Sequence, residues 1–273
     1  MMASTKTWTA RRPTRMAGIL ICGLLIVAAW AALTLDPLSQ DLMKALEPPS
    51  LAHPLGTDHL GRDVLARVVH AAPRSLGIAL VCVTGAAGLG IALGLVAAYA
   101  GRLADICIMR LCDLLLALPG ILLALLLAGF LGGGIIPMLI GIKVALWPQF
   151  TRMSRSVALG VLNEPHVEAA RLAGFPAHTI LLRHVLPPVL RQTVCLASLG
   201  TGAAVMSISA LGFLGLGLKP PTPEWGSMTS ELIPYLADAP VQMAAPCVAI
   251  FLTVLTVSVL GEFVLARRTR LPR

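Results

Sequence analysis

Five stretches of the chain contain no aspartate, glutamate, lysine or arginine, and they span residues 16–35, 75–100, 114–142, 192–218 and 239–261. A helix needs about 20 consecutive apolar residues to cross a lipid bilayer, and each stretch meets that length. Charged residues make up 12% of the chain, whereas a soluble domain typically carries about 25%. The chain therefore lacks the polar surface that solubility requires, and the sequence predicts an all-α membrane protein.

The third stretch is too long for one crossing and is interrupted by the glycine run 132–134 and by Pro137. We interpret it as the end of one helix, a tight turn and the start of another helix, which continues through Lys143 toward Arg152. The sequence thus predicts six spans. Residues 16–35 form the first, because their apolar run of about 20 residues exceeds the 7–15 residues of a signal-peptide core.

Lysine and arginine are distributed unequally between the two sets of loops. If the N-terminus lies inside, the inner segments hold 15 of the 21 lysines and arginines, and the outer segments hold 5. Positive charge favours the cytoplasmic side, so both termini are expected in the cytoplasm. The net charge of +8 then reflects topology and contact with lipid headgroups, and no nucleic-acid binding is expected.

Residues typical of catalysis or cofactor binding do not form a pattern in this sequence. The six cysteines lie in or beside apolar runs without CxxC spacing. The chain also lacks the GxxxxGK[ST] loop that holds ATP phosphates. We therefore expect no metal site, no bound cofactor and no enzymatic reaction in this chain.

The longest cytoplasmic loop, residues 161–188, contains signals for two short helices. Asn163 can cap the first helix, Pro165 suits its first turn, and Gly174 can end it in a left-handed conformation. Pro176 can start a second helix that runs to about His184 and ends before two prolines. Two small alanines on the first helix, with two large apolar residues beside them, suit close contact with a partner.

The order of residues in this loop resembles the EAA loop of ABC importer permeases: glutamate, alanine and alanine, then glycine six residues after the glutamate, then histidine, leucine and proline. In that family the loop forms a coupling helix that docks on an ATPase subunit. The resemblance implies the six-helix type I permease fold. It also implies that one set of residues couples this chain to an ATPase: Glu168, Ala169, Ala170, Leu172, Gly174, Phe175, His184 and Pro187.

Two extracytoplasmic segments, GTDHLGRD from Gly56 and LGLG…P…WG ending at Gly226, resemble the C-type permeases of the peptide/nickel branch. On chemical grounds we expect capping by Thr57 and Asp58, an ion pair between Arg62 and Asp63, and an interfacial anchor at Trp225. We interpret these five residues as a clasp that closes the outer mouth.

The resemblance implies four kinds of partner: a homologous second permease, two ATPase subunits that bind ATP and magnesium, an extracytoplasmic solute-binding protein, and the lipid of the bacterial inner membrane. His59 within GTDHLGRD and Glu224 within PTPEWG resemble nickel-importing members more than dipeptide-importing ones. Imidazole also suits nickel, and His53, His59 and His70 lie in outer segments, so nickel, free or chelated, is the expected substrate. Dipeptide or oligopeptide import is the alternative. A secondary transporter without ATPase partners is the alternative of another class, although it usually carries acidic residues at mid-membrane.

Several polar and small residues fall inside the predicted spans. Lys143 is expected to line the pore or to pair with a neighbour, because burying its charge costs a few kcal/mol. Arg110 and Asp113 are expected to pair within one helix. Gly90 and Gly94 belong to a small-residue face that we expect to pack against the partner permease.

The predicted organisation has five parts. They are an N-terminal tail (1–15), a first span (16–35), an extracytoplasmic loop with the GTDHLGRD segment (36–73), a permease core with five spans (74–265) and a basic tail (266–273).

Overall fold

The computed structural model describes residues 36–268, with side chains as far as Gly261. The predicted N-terminal tail and first span lie outside the described residues, as do residues 269–273. Six spans and cytoplasmic termini therefore stay predictions.

The described part of the chain is helical, and its only β-type pairing is an isolated bridge between Thr57 and Asp63. A π-helical turn, Leu181–Val185, joins two of the helices. In chain order the helices are α1 Val64–Tyr99, α2 Arg102–Leu116, α3 Gly120–Phe130, α4 Ile135–Leu162, α5 Pro165–Leu172, α6 Ala177–Ile180, α7 Leu186–Phe213, α8 Trp225–Leu232 and α9 Pro240–Arg268.

Three helices of the described part are long and apolar enough to cross a membrane, by length and composition: α1, the continuous path Ala177–Phe213, and Pro240–Gly261 of α9. The pair α2 and α3 makes a fourth candidate if it acts as one span, with a bend of 88° between its halves. α4 falls outside this group because it carries Lys143, Arg152 and Arg155.

The long third apolar stretch divides at two places. Pro119 precedes α3, and a proline disfavours helical backbone in the residue before it, so α2 ends at Leu116 and α3 turns away. The second division is the predicted tight turn, where Gly132, Gly133 and Gly134 have φ values of 87°, 71° and 96°. Only glycine adopts such values at no steric cost, so this turn is confirmed.

Glycines bring α1 and α4 into close contact within the chain. A Cβ added to Gly90 would lie 2.4 Å from the Phe150 Cβ, and one added to Gly94 would lie 2.6 Å from the Ser154 Cβ. Both residue numbers increase in the same direction, so the two helices run parallel. The expectation that this face packs against the partner permease is wrong, because α4 of the same chain already fills it.

Two hydrophobic clusters hold the helices together. The larger lies among α1, α4 and α7, with Phe150, Ile208 and Leu211 buried at its centre. The smaller lies at the other end, where the α5–α6 segment packs on the last turns of α4 through Val167 and Ile180. Each end of the molecule is therefore anchored separately.

The loops sort into two groups at opposite ends of the bundle. Trp225 of α8 bonds to Val68 near the start of α1, and Gly134 of the α3–α4 turn bonds to Leu216 after α7. The α5–α6 segment lies at the far end, beside the last turns of α4. This sorting agrees with the predicted alternation of outer and inner loops.

Large apolar side chains cover much of the outside of the bundle. Phe251 of α9, Leu126 of α3 and Leu89 of α1 are each about half exposed or more. Such a surface is unfavourable in water, so it suits contact with lipid or with another transmembrane subunit.

Replacing Gly90 with alanine should destabilise the chain by about 1–3 kcal/mol, because the new methyl group would overlap backbone atoms of α4. Gly88 is the matched control: it lies in the same helix, and a Cβ there meets nothing within 4 Å. Gly88→Ala should leave stability unchanged or raise it by up to about 1 kcal/mol. Thermal unfolding of the purified chain in detergent distinguishes them, and equal melting temperatures would contradict the packing described here.

Candidate functional site

The outer loop folds tightly around the GTDHLGRD segment. The buried Thr57 hydroxyl donates to the carbonyl of Lys44 and accepts from the amide of Glu47 at 2.9 Å. Gly61 has φ +70°, and an added Cβ would collide with the Asp41 carbonyl. Thr57 therefore fixes the loop to the preceding segment and does not cap a helix, contrary to expectation.

Four charged side chains form a closed ring beneath this loop, which we call the ion ring: Asp58, Arg62, Arg67 and Glu231. The Asp58 carboxylate accepts from the Arg62 Nε at 2.6 Å and also from Arg67. The Glu231 carboxylate accepts from both arginines at 2.9 Å. The expected pair between Arg62 and Asp63 is therefore wrong, because Arg62 turns inward to two other carboxylates.

The ion ring is almost completely shielded from solvent. The side chains of Asp58, Arg62 and Arg67 are 2% exposed or less, and that of Glu231 is 14% exposed. Burial alone would raise the pKa of Asp58. The backbone amide of Arg62 and the charges of Arg67 and Arg62 outweigh it and hold this pKa below its usual value. Asp58 therefore stays ionised, and each charge of the ring has opposite charges beside it.

Asp63 begins α1. Its carboxylate accepts from the amide of Ala66 at 2.7 Å, and its own backbone is extended, which is the geometry of an N-cap. The same carboxylate contacts the His53 ring at 2.8 Å. The cap expected at Thr57 and Asp58 thus lies at Asp63, because the chain becomes helical only after the loop is complete.

α8 is held against α1 by a second contact. Trp225 is 2% exposed, and its indole Nε1 donates to the carbonyl of Val68 at 3.0 Å. The expectation of an anchor among lipid headgroups is wrong, because this ring is enclosed by protein.

Glu224 caps α8. Its carboxylate accepts from the amides of Gly226 and Ser227 at 2.9 Å. Burial raises the pKa of Glu224, although the two amide bonds act in the opposite direction. Glu224 was one basis for predicting nickel as the substrate. In the structure it is 1% exposed, and its carboxylate stabilises the start of α8.

The outer histidines do not converge on one site. The His59 ring stacks on Tyr235 at 5.6 Å between centroids, while His53 contacts Asp63 and His70 contacts the carbonyl of Ala66. Ligand atoms of Asp58, His59 and Glu231 lie within 4.8 Å of one another. Both carboxylates already bind two arginines, whose charge opposes a metal cation, so we assign no metal site there.

The inner end of the bundle carries the segment that we call the coupling segment, residues 164–185. Pro165 occupies the first turn of α5, as expected, but the N-cap position belongs to Glu164. Asn163 instead ends α4, and its side chain donates to the carbonyl of Leu159 at 2.9 Å. Gly174 has φ +80° and follows the last turn of α5, so the predicted left-handed end of this helix is confirmed.

α5 presents one face to the chain and another to the outside. Val167 is fully buried in the smaller hydrophobic cluster, and Ala170 is also buried, at 8% exposed. Leu172 is 84% exposed and Phe175 is 49% exposed. Glu168 and Ala169 are also exposed. The expectation that Ala170 offers close approach to a partner is wrong, because it supports α5 from within.

The path from α6 to α7 is continuous, whereas a break at Pro187 and Pro188 was expected. The π-helical turn Leu181–Val185 precedes the prolines, which occupy the first turn of α7. A proline has no N–H to donate, and it is tolerated in a first turn because no bond is required there. Residues 177–213 therefore form one connected helical path from the coupling segment to the outer end.

Salt bridges link α2 to α4 near the inner end. Asp113 pairs with Arg152 of α4, and Asp105 binds Arg155 through both carboxylate oxygens. The expected pair between Asp113 and Arg110 is therefore wrong, because Arg152 of the neighbouring helix occupies that carboxylate.

Lys143 is half-buried on α4, with its aliphatic chain beside Gly85 of α1. Among the described residues, no carboxylate forms a salt bridge with it. The predicted place of Lys143 in the pore stays a prediction.

The ion ring contains two residues that the sequence did not single out, Arg67 and Glu231. Arg67 lies one helical turn after Asp63, on the part of α1 that faces the loop, so its position gave some signal. Glu231 lies 169 residues from Arg62, and no local pattern connects the two.

The described part of the chain is thus a helical bundle with a buried ion ring at one end and a short, partly exposed helix at the other. Residues 90–271 match the family described as the binding-protein-dependent transport system inner membrane component. The chain belongs to this family, and it is an ABC importer permease subunit. This assignment confirms the resemblance drawn from the loop motifs and removes the secondary transporter as an alternative.

Two curated relatives support the peptide branch of the family. The chain is 37% identical to the dipeptide transport system permease protein DppC of Alkalihalophilus pseudofirmus, over 89% of this chain and 81% of the relative. It is 36% identical to the glutathione transport system permease protein GsiD of Pectobacterium atrosepticum, over 90% of this chain and 83% of the relative.

A solved structure shares the fold. The inward-facing MetNI methionine ABC transporter matches with a TM-score of 0.59 and 19% identity, over 73% of this chain and 95% of the matched chain.

Replacing Asp58 with asparagine should destabilise the outer end by about 3–5 kcal/mol, because it leaves two buried arginines with one carboxylate. Asp41→Asn is the matched control: its pair with Lys44 is about half exposed, and it should change stability by less than about 1 kcal/mol. Melting temperatures in detergent test this. A control that melts as early as Asp58→Asn would show that the ring contributes no more than a surface pair.

Proposed function

We propose that this chain forms half of the translocation pathway of an ATP-driven peptide importer in the bacterial inner membrane. A homologous permease supplies the other half. Two ATPase subunits, which bind ATP and magnesium, dock on the inner end, and a solute-binding protein docks on the outer end. The observation that carries the proposal is the coupling segment, a braced helix that presents apolar side chains beyond the bundle.

The presentation of α5 suits the transmission of force. Val167, Ile180 and Val185 are buried, so the segment is packed firmly on α4 and α7. Leu172 and Phe175 extend outward and make α5 the natural contact for an ATPase surface. A movement imposed on α5 passes through the short turn 173–176 into α6, and from there along the continuous helical path 177–213 into α7.

His184 and Pro187 lie at this junction. His184 is half-buried, and Pro187 stiffens the first turn of α7. We assign them to the joint between the coupling segment and α7. Glu168, Ala169 and Gly174 are assigned to the docking helix itself, with Gly174 setting its end.

The outer clasp consists of the ion ring together with Thr57, Asp63 and Trp225. It ties the loop and the start of α1 to α8 by charge pairs and by the indole bond. Buried charge pairs are sensitive to the loss of one partner. The clasp therefore gives the outer mouth a defined closed state. In alternating access, the mouth would open either by breaking the contacts between α8 and α1 or by moving both helices as one body.

The names of the two relatives specify dipeptide and glutathione transport, and they support peptides as the substrate class of this chain. Nickel gains no comparable support. Glu224 is engaged in capping α8 and His59 stacks on Tyr235, so neither offers a free ligand to metal. We assign Lys143 to the pathway, where its amine would meet the carboxylate that peptides carry.

Cells that lack this gene should lose ATP-dependent uptake of a radiolabelled dipeptide or of glutathione, and the intact gene should restore it. Nickel uptake, measured in parallel with and without a histidine-type chelator, should not change. Membrane levels of the partner subunits serve as the control. Loss of nickel uptake with normal peptide uptake would contradict the proposed substrate class, and unchanged uptake of all three would contradict import.

A further inference from the structure

A cavity of about 340 Å³ opens beside the coupling segment, between α5, the π-helical turn and the start of α7. Cavities of roughly 300–1,000 Å³ are typical of sites for small ligands. Pro187, Pro188 and Val161 form part of its wall. The docking surface proposed above is the exposed part of α5 that carries Leu172 and Phe175, and neither residue lines this cavity.

The polar lining of the cavity is mainly basic. Arg183 comes from the π-helical turn and Arg191 from α7. His166 and His184 also line the cavity, with ring centroids 5.5 Å apart. Four nitrogen-bearing side chains from three elements therefore line one space.

One acidic residue, Glu164, also faces the cavity. Its carboxylate lies 3.1 Å from the His166 Nδ1, so a basic partner already offsets part of its charge. Two guanidinium groups line the same space as this single carboxylate. Oxyanions are the ligands that such a lining favours, because guanidinium binds phosphate through paired hydrogen bonds.

The cavity lies at the boundary of the apolar span. Arg191 directly precedes the charge-free stretch 192–218, and arginines at such positions extend toward lipid headgroups. Basic pockets between transmembrane helices on the cytoplasmic side bind anionic headgroups. The placement thus brings a phosphate of the inner leaflet within reach, and it leaves the cavity open to phosphate compounds in solution.

We propose that this cavity binds a phosphate group, either in the headgroup of an anionic phospholipid or in a small soluble phosphate. The bound group bridges Arg183 of the coupling segment and Arg191 of α7. A ligand in this position braces the joint through which α5 is connected to the transmembrane path. The site is separate from the exposed face that contains Leu172 and Phe175.

Titration of the purified full-length chain in detergent tests the site with three probes: short-chain phosphatidylglycerol, short-chain phosphatidylcholine and inorganic phosphate. Phosphatidylglycerol or inorganic phosphate should bind, and phosphatidylcholine should bind more weakly because its headgroup is zwitterionic. Arg183→Gln and Arg191→Gln should each weaken binding about tenfold, the value of one charge-assisted contact. Arg110→Gln is the matched control, since Arg110 is exposed on α2 outside the cavity, and it should leave binding unchanged.

Glu164→Gln removes the negative charge that lines the cavity, so it should strengthen phosphate binding by roughly two- to fivefold. A misfolded variant would instead bind phosphate more weakly. Tighter binding of phosphatidylglycerol than of phosphate identifies the headgroup as the source, and equal or weaker binding identifies a soluble phosphate. Both outcomes support the site. Failure of both anions to bind, as expected if the cavity instead accepts an acidic protein surface, overturns it. Equal binding of phosphatidylcholine, or binding that is insensitive to all three cavity variants, also overturns it.

Discussion

The ion ring is the constraint on which the outer half of the molecule depends. Two guanidinium groups and two carboxylates are buried together, and each carboxylate contacts both arginines. Such groups are stable in a low-dielectric setting only when their partners are all present. The ring therefore determines the position of three elements at once, because Asp58 belongs to the loop, Arg62 and Arg67 adjoin or lie on α1, and Glu231 belongs to α8. Trp225 reinforces the same junction with an apolar contact and one hydrogen bond.

The inner half uses a different physical principle. There the coupling segment is held by aliphatic packing of Val167, Ile180 and Val185, while salt bridges join α2 to α4. α7 connects the two halves, since it starts at the coupling segment and ends beside α8. In the proposed mechanism, a signal received at the inner end must change the packing at the outer end. The apolar packing would let the inner junction follow α5 as a unit, and the charge pairs would define the closed arrangement of the outer junction.

The sequence predicted the elements that depend on local chemistry. The apolar stretches located the long helices, the glycine run located the α3–α4 turn, and Gly174 located the end of α5. The wrong predictions concern which residues contact one another. Arg62 and Asp113 were each expected to pair with a residue nearby in the sequence, and each contacts another element in the folded chain. Ala170 was expected on the docking surface, and it is buried. Asp63 replaced Thr57 and Asp58 as the cap because the exact start of a helix depends on how the preceding loop folds. Pairings between distant residues, such as Arg62 with Glu231, require the whole fold and leave no mark in the local sequence.

If the ATPase subunits dock on α5, two matched variants of this chain should differ in how well those subunits co-purify with it. Leu172→Asp places a charge on the exposed face of α5, and Leu51→Asp makes the same change at a fully exposed position of the outer loop. Because neither side chain supports the fold, both variants should reach the membrane at normal levels. Leu172→Asp should lose the ATPase subunits, and Leu51→Asp should retain them. Retention of the ATPase subunits by Leu172→Asp, at normal levels of membrane protein, would contradict docking on α5.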